Sequence, residues 1–282
     1  MKKTIGTLAL VLCAWTIGMV AFAAEEGSWT LMRADEAGMV HFTVVVRHER
    51  GGTSRSGSDW PVSDFEGLDL ATRARHDVMF TIARDAGRFD CEGYLTDGEG
   101  AGLFRFTPDP TFAREMRDLG FSGIDDDEQF AMALHDVSLD FAQQMKGENL
   151  AGLDTDKLVA FRIFDVSREF IRELRAAGLT ATDADELVAF RVHDVSPEMV
   201  REVRRAGIDA DEDELVAFQI HRVSPQFIAE LERLGYTDVD SDQLVAMRIH
   251  GVTPEFISDL QSRGLKDLSV DKLVALRIHG ID

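Results

Sequence analysis

The spacing of apolar residues divides the chain into two regions. Between about residues 24 and 108 apolar and polar positions alternate, as in Val40, Phe42, Val44 and Val46, and a period of two predicts half-buried strands. From residue 109 onward the apolar positions follow helical spacing between regular capping signals. The pattern predicts an α+β fold, in which a small antiparallel β-sheet or sandwich precedes an α-solenoid-like array of helical hairpins.

The first region contains short predicted strands joined by turns. Asp85 to Gly87 forms a predicted hairpin turn, and Leu103 to Thr107 is the strand expected to close the sheet. The polar segment from Gly51 to Asp64 is rich in glycine and serine, and we interpret it as a long loop carrying Trp60.

The second region is repetitive. A large apolar residue recurs every 28 or 29 positions and marks six tandem units: Phe112, Phe141, Phe170, Met199, Phe227 and Phe256. The units span 109–137, 138–166, 167–195, 196–223, 224–252 and 253–282. Repeats of this length are typical of stacked arrays, in which each unit buries its apolar face against its neighbours. The array is therefore predicted to offer an extended binding surface.

Each unit is predicted to be a hairpin of two short helices. In the fourth unit Ser196 is placed to cap the first helix, Gly207 to end it in a left-handed conformation, and Asp211 to cap the second helix. The second helix has a predicted apolar stripe: Leu215, Val216, Phe218 and Ile220. Helices this short are not stable alone in water, so neighbouring units must stabilise them.

Composition narrows the setting of the protein. Lys2 and Lys3, an apolar stretch and Ala21-Phe22-Ala23 predict that residues 1 to 23 are a Sec-type signal peptide, which implies a periplasmic or secreted bacterial protein. We favour removal of this segment over its retention as an anchor. The formal net charge of −21 disfavours nucleic acid and anionic lipid as partners. No later stretch is apolar enough for stable membrane insertion.

Three rows of polar residues recur from unit to unit. Aspartate pairs such as Asp211 and Asp213 open the second helices of units two to five, and Ser269 with Asp271 opens the last one; capping explains these residues without a ligand. An EF-hand is excluded at Asp238–Ile249 because Gln243 replaces its glycine, but weak calcium binding along the row remains an alternative. The second row is His135, His193, His221, His250 and His279, for which we favour a structural role over metal binding.

The third row consists of Arg162, Arg191, Arg248 and Arg277, with Gln219 interrupting it. We expect these side chains to be exposed or to form salt bridges with the acidic row. The alternative hypothesis is a groove that binds acidic groups of a peptide partner.

Signatures of catalysis are absent from the sequence where they can be checked. His48-Glu49-Arg50-Gly51-Gly52 lacks the second histidine of a zinc peptidase, and there is neither a nucleophile elbow nor a Walker lysine. The histidines and serines of the first region, such as His41 and Ser56, show no spacing that selects a nucleophilic site. Cys91 is interpreted as a small core residue. The chain is therefore predicted to be non-catalytic, with no cofactor and no metal.

The repeat also carries a family resemblance. Val252-Thr253-Pro254-Glu255-Phe256-Ile257 and Leu273-Val-Ala-Leu-Arg-Ile-His-Gly280 resemble a short helical repeat of bacterial envelope proteins, similar to the tails of membrane-bound sensor metallopeptidases of the beta-lactam-receptor type. The resemblance covers residues 109 to 282. It implies an extracytoplasmic accessory or sensing module, and it carries over no catalytic residue because the peptidase motif is missing.

Two functional hypotheses follow from the sequence. The first is a scaffold whose repeats bind an envelope protein or peptide, with Val274 and Ile278 of the last helix contributing to self-association or partner contact. The second is a ligand-binding or hydrolytic β region for which the repeats are only a stalk.

Overall fold

The computed structural model describes residues 25–47, 52–180 and 183–280. The predicted signal peptide, residues 1 to 23, lies outside this part of the chain. The described residues form an antiparallel sheet followed by an array of helices, which is the predicted α+β arrangement.

The strands form one curled sheet and not a sandwich of two. Their bounds are β1 Glu25–Arg33, β2 Met39–Arg47, β3 Thr53–Pro61, β4 Phe65–Glu66, β5 His76–Arg84, β6 Gly87–Thr96 and β7 Glu99–Pro108. Their order is β3-β2-β1-β7-β6-β5-β4, and all neighbouring pairs are antiparallel. The strand expected to close the sheet is therefore central, since β7 lies between β1 and β6.

The curl places apolar side chains from distant strands in one core. The rings of Phe42 on β2 and Phe80 on β5 have centroids 6.3 Å apart although three strands separate them. Trp29 is fully buried, and its indole N–H donates to the carbonyl oxygens of Glu92 at 3.1 Å and Leu103 at 3.0 Å. A Cβ atom on Gly93 would lie 2.7 Å from the Trp29 ring, so β6 needs glycine at this position.

The segment interpreted as a long loop is mostly strand, so that prediction was wrong. Thr53–Pro61 pairs with β2 along its whole length, and a short 3-10 helix follows at Val62–Asp64. Most of this strand is exposed because it forms an edge of the sheet, whereas Trp60 is buried among the inner rings. Edge strands tolerate polar residues on both faces, which is why the composition resembled a loop.

The second region contains twelve helices among the described residues. The first helices of the hairpins are α1 Pro110–Asp118, α3 Leu139–Lys146, α5 Arg168–Ala176, α7 Pro197–Arg205, α9 Pro225–Arg233 and α11 Pro254–Ser262. The second helices are α2 Asp126–Leu134, α4 Thr155–Ile163, α6 Ala184–Val192, α8 Glu212–His221, α10 Ser241–Ile249 and α12 Val270–Ile278.

The capping residues act as the sequence indicated. The Ser196 side chain accepts a hydrogen bond from the Met199 amide, and the Asp211 side chain accepts one from the Glu214 amide. Gly207 has a φ of 76°, and Asn149 replaces glycine at the matching place with a φ of 53°. These local contacts fix the ends of every hairpin, while stacking buries side chains such as Leu187 completely.

Second helices pack side by side, and first helices do the same in a parallel layer. The array is joined to the sheet through α2. Phe130 on that helix contacts the ring of Phe106 with a centroid distance of 5.4 Å and also packs on Phe89 and Phe104. The buried Gln129 amide donates to the carbonyl oxygens of Ala86 at 2.9 Å and Asp109 at 2.8 Å. Sheet and array therefore share an apolar, hydrogen-bonded junction.

None of the described helices combines the length and apolar character that a membrane span requires.

Candidate interaction surface

The arginine row packs on aromatic rings within the units. Each guanidinium lies over a phenylalanine ring on the first helix of the same unit. Arg191, for example, lies over Phe170 at 4.2 Å from the ring centroid. The same arrangement recurs for Arg162 over Phe141, Arg248 over Phe227 and Arg277 over Phe256. Such contacts between a cation and an aromatic face contribute about 0.5–1 kcal/mol each at exposed sites.

The same side chains also connect each unit to the preceding one. Arg191 Nε donates to the carbonyl oxygen of Asp165 at 2.8 Å, and its Nη2 pairs with the Asp165 carboxylate at 2.6 Å. Arg162 pairs in the same way with Asp136 at 2.8 Å, and Gln219 donates to the Asp194 carbonyl at 2.6 Å. Salt bridges are present for Arg162 and Arg191, but their carboxylates belong to the turn after the second helix and not to the acidic row that opens it. Arg248 donates to the His221 carbonyl oxygen at 3.2 Å instead.

A pair of aliphatic residues recurs on the outside of the second helices. Val274 and Ile278 are one turn apart on α12, where Val274 is half-buried and Ile278 is 58% exposed. The equivalent pairs are Val159 with Ile163, Val188 with Val192, Val216 with Ile220, and Val245 with Ile249. These five pairs are called the aliphatic face below. Its outer members are all between 49% and 58% exposed, so the exposure of Ile278 is a property of the array and not of its last helix alone.

Ile220 was predicted to lie on one apolar stripe with Leu215, Val216 and Phe218, but it lies away from the buried side of the helix. It lies two positions after the fully buried Phe218, which turns its side chain about 200° around the helix. Leu215 and Phe218 make the contacts with the interior, and Ile220 is 54% exposed.

In the first unit the corresponding residues are covered. Phe130 and Leu134 occupy the positions of Val159 and Ile163, and both are partly buried and packed on the core. Phe130 contacts three phenylalanine rings of the sheet. The side of the second helix that is open in units two to six therefore packs on the sheet in the first unit.

An acidic row borders the aliphatic face. It consists of Asp156, Asp185, Asp213, Asp242 and Asp271, each exposed and three residues before the valine of its pair. Positions i, i+3 and i+7 lie on one side of a helix, so the row and the face are adjacent. The capping aspartates precede this row by two residues and bind backbone amides, as the sequence predicted.

The acidic row carries charge that is poorly compensated. Its one ion pair in the described chain joins Asp185 to Lys157 Nζ at 2.5 Å. Burial raises the pKa of Glu186 above its usual value, and the neighbouring carboxylates of Glu212, Asp183, Asp213 and Asp211 raise it further. The contribution of these four neighbouring carboxylates to the raised pKa indicates excess negative potential along this side of the array.

The histidine row lies at the C-terminal ends of the second helices. His135 caps α2, and its pKa is lowered by burial and by the nearby charge of Arg162. In the part of the chain that the structure describes, no three His, Cys, Asp or Glu side chains are grouped closely enough to hold a metal ion.

A concave surface lies on the outer face of the sheet. This sheet trough has a volume of about 830 Å³ and crosses β1, β7, β6 and β5. Met79 and Leu103 line it with exposed fractions of 79% and 60%. Glu66 and Glu92 also line it and form no ion pair with the described residues. The trough therefore combines apolar contact area with negative charge.

The histidines and serines of the sheet are not brought together. His41 Nδ1 lies 2.7 Å from Asp59 Oδ1 on the outer face, whereas strand alternation puts Ser56 and Ser58 on the opposite face. Ser58 accepts a hydrogen bond from the Trp60 indole. His48 lies outside the described residues. Cys91 is a core residue as predicted, and burial raises the pKa of its thiol far above the ordinary value.

Comparison of the chain with protein-family models, curated proteins and solved structures finds no match.

Proposed function

We propose that the protein is an exported, non-catalytic interaction or sensing scaffold of the bacterial cell envelope, which binds a protein or peptide partner on the aliphatic face. The observation that carries this proposal is the contrast between units. The outer residue of the pair is exposed in units two to six, whereas in the first unit Leu134 at this position is packed on the core and Phe130 beside it lies against the sheet. Large exposed apolar patches mark interaction sites in soluble proteins.

Rigid presentation of the face supports the proposal. The second helices are capped at both ends and joined to the preceding unit through side chains such as Arg191 and Gln219. A surface that is already ordered loses little conformational entropy when a partner binds. The arginine row contributes to this ordering, and its binding of acidic peptide groups remains the alternative hypothesis.

The cellular location in this proposal comes from the sequence. The segment of residues 1 to 23 has the features of a signal peptide, and the repeats resemble the tails of sensor metallopeptidases. Both features favour a place outside the cytoplasm, where the partner would be an envelope protein or peptide.

The test is capture of partners by tagged protein from the native cell envelope after mild crosslinking. We expect Ile220→Glu with Ile249→Glu to remove the partner, because two charges would interrupt the aliphatic face. The matched control is Ala229→Glu with Ser258→Glu, which adds the same charges at exposed positions of first helices. Equal recovery of the partner by both variants, with equal helix content, would contradict the proposal.

A second candidate function rests on the sheet trough, whose volume suits a small ligand or a short peptide segment. Here the sheet would bind the ligand and the array would be a stalk. The double variant Met79→Glu with Leu103→Glu tests this alternative in the same capture experiment. The alternative is favoured if this variant loses the partner while Ile220→Glu with Ile249→Glu retains it.

A further inference from the structure

We infer that the occupant of the aliphatic face is a polypeptide segment that carries a row of lysine or arginine side chains beside its apolar side chains. This inference rests on the proposed function and adds the chemistry of the partner. It follows from the position of the acidic row, which runs along one border of the aliphatic face through units two to six.

The charges of this row are available to a partner. Asp213, Asp242 and Asp271 form no ion pair with the described residues. Three members of the arginine row have other partners: Arg162 and Arg191 pair with Asp136 and Asp165 in the turns of the preceding units, and Arg248 donates to the carbonyl oxygen of His221. The whole chain has 51 acidic residues against 30 basic ones, so no distant excess of positive charge compensates the row.

The spacing of the carboxylates favours several positively charged side chains of one partner over a single bound metal ion. Neighbouring packed helices are about 8–10 Å apart, so successive aspartates are separated by about that distance. Calcium requires six to eight oxygen atoms at about 2.3–2.6 Å, and the described residues contain no such cluster. Lysine or arginine side chains on one polypeptide can instead meet the aspartates one by one.

The apolar rows fit the same kind of segment. Lysine and arginine have long apolar stems, which can lie over the half-buried valines while their charged ends meet the acidic row. The partner's own apolar side chains would then contact the outer residues, such as Ile220 and Ile249. Binding of this type is expected to be fast at low salt and to weaken as salt screens the charges.

The probe is a fluorescently labelled synthetic amphipathic peptide with leucines on one face and lysines beside them. Two further peptides replace either the lysines by glutamates or the leucines by serines. We expect only the first peptide to bind the full-length protein in an anisotropy titration at low salt, with affinity that falls as salt rises. The other peptides each lack one of the two complementary features.

Matched variants locate the binding on the array. Asp213→Asn, Asp242→Asn and Asp271→Asn together should weaken binding of the leucine–lysine peptide about tenfold, which corresponds to about 1.4 kcal/mol. The control variant removes three exposed carboxylates from first helices, by Glu169→Gln, Glu202→Gln and Glu232→Gln, and should change the affinity less than twofold. Equal weakening by both triple variants would show binding to net charge alone and would overturn the inference.

Two further results would also overturn it. One is displacement of the peptide by millimolar calcium that binds saturably to the protein but not to the triple aspartate variant. The other is a capture experiment in which the triple aspartate variant recovers as much native partner as the wild type, while the variant with Ile220→Glu and Ile249→Glu recovers none. In that case the proposed function stands and only the basic character of the partner is wrong.

Discussion

Replacement of Glu148 by glutamine should destabilise the array at one particular junction. The Glu148 side chain is only 6% exposed and lies between the second and third units. Its Oε1 accepts a hydrogen bond from Arg168 Nε at 2.6 Å, and its Oε2 accepts one from Arg175 Nη1 at 2.5 Å. Arg175 Nη2 also donates to the Glu148 carbonyl oxygen at 2.9 Å. One carboxylate therefore joins two arginines of the next unit.

The size of the effect follows from burial and from the number of charged hydrogen bonds. Removing one partner of a fully buried ion pair costs about 3–5 kcal/mol. The side chains of Arg168 and Arg175 are 42% and 32% exposed, so water can solvate them after the substitution and the cost is smaller. We expect Glu148→Gln to lower the free energy of unfolding by about 2 kcal/mol. Glu169→Gln, at an exposed carboxylate nearby, should change it by less than about 0.5 kcal/mol.

The pH dependence gives a sharper test of the same contact. Burial alone would raise the pKa of Glu148, but hydrogen bonds and charges from Arg168 and Arg175 bring it below the usual value. A carboxyl group with a depressed folded-state pKa contributes stability above its unfolded pKa and loses it as the pH falls through the folded value. Urea unfolding followed by circular dichroism should therefore show a large difference between wild type and Glu148→Gln at pH 7. The difference should shrink below about pH 4. A pH-independent difference, or none at pH 7, would show that the ionised Glu148 carboxylate does not hold the two units together.

Three other predictions concern the core and the repeat. Phe130→Ala should lower the free energy of unfolding by about 3 kcal/mol, as measured by urea titration, because it removes the ring that packs between sheet and array. Arg222 has a φ of 58° and occupies the position at which earlier units have an aspartate. Arg222→Asp should stabilise the protein by about 0.5–1 kcal/mol, because aspartate tolerates this conformation and can form an ion pair with Arg248, which already donates to the neighbouring His221 carbonyl oxygen. An unchanged melting temperature would contradict this. Cys91 should react with a thiol reagent at pH 8 only in denaturant, since burial raises its pKa and excludes the reagent; rapid reaction of the folded protein would show that the core is open.

Features that depend on neighbouring residues in sequence were predictable. Ser196 and Asp211 bind amides three residues away, so the capping pattern alone located the ends of the helices. The fixed period then gave the stacked hairpins. The strand β3 was missed because its order comes from pairing with β2 and not from an apolar face.

Features that depend on stacking were not predictable in detail. Arg191 and Asp165 are 26 residues apart, and only the packed units bring them together. The exposure of Ile220 was missed because an aliphatic residue near the end of a short helix fits a buried stripe as well as an open face. The one available signal was its recurrence at the same place in units two to six, where Ile163, Val192, Ile249 and Ile278 occupy the position.

The most direct test of the central claim is site-specific photocrosslinking in intact cells that produce the protein. A photoreactive amino acid would replace Ile220 or Ile249 on the aliphatic face, Glu202 or Glu232 on the first helices, and Met79 in the sheet trough. We expect a discrete adduct from positions 220 and 249 and none from the other three. Adducts from position 79 alone, or equally from all five positions, would contradict it.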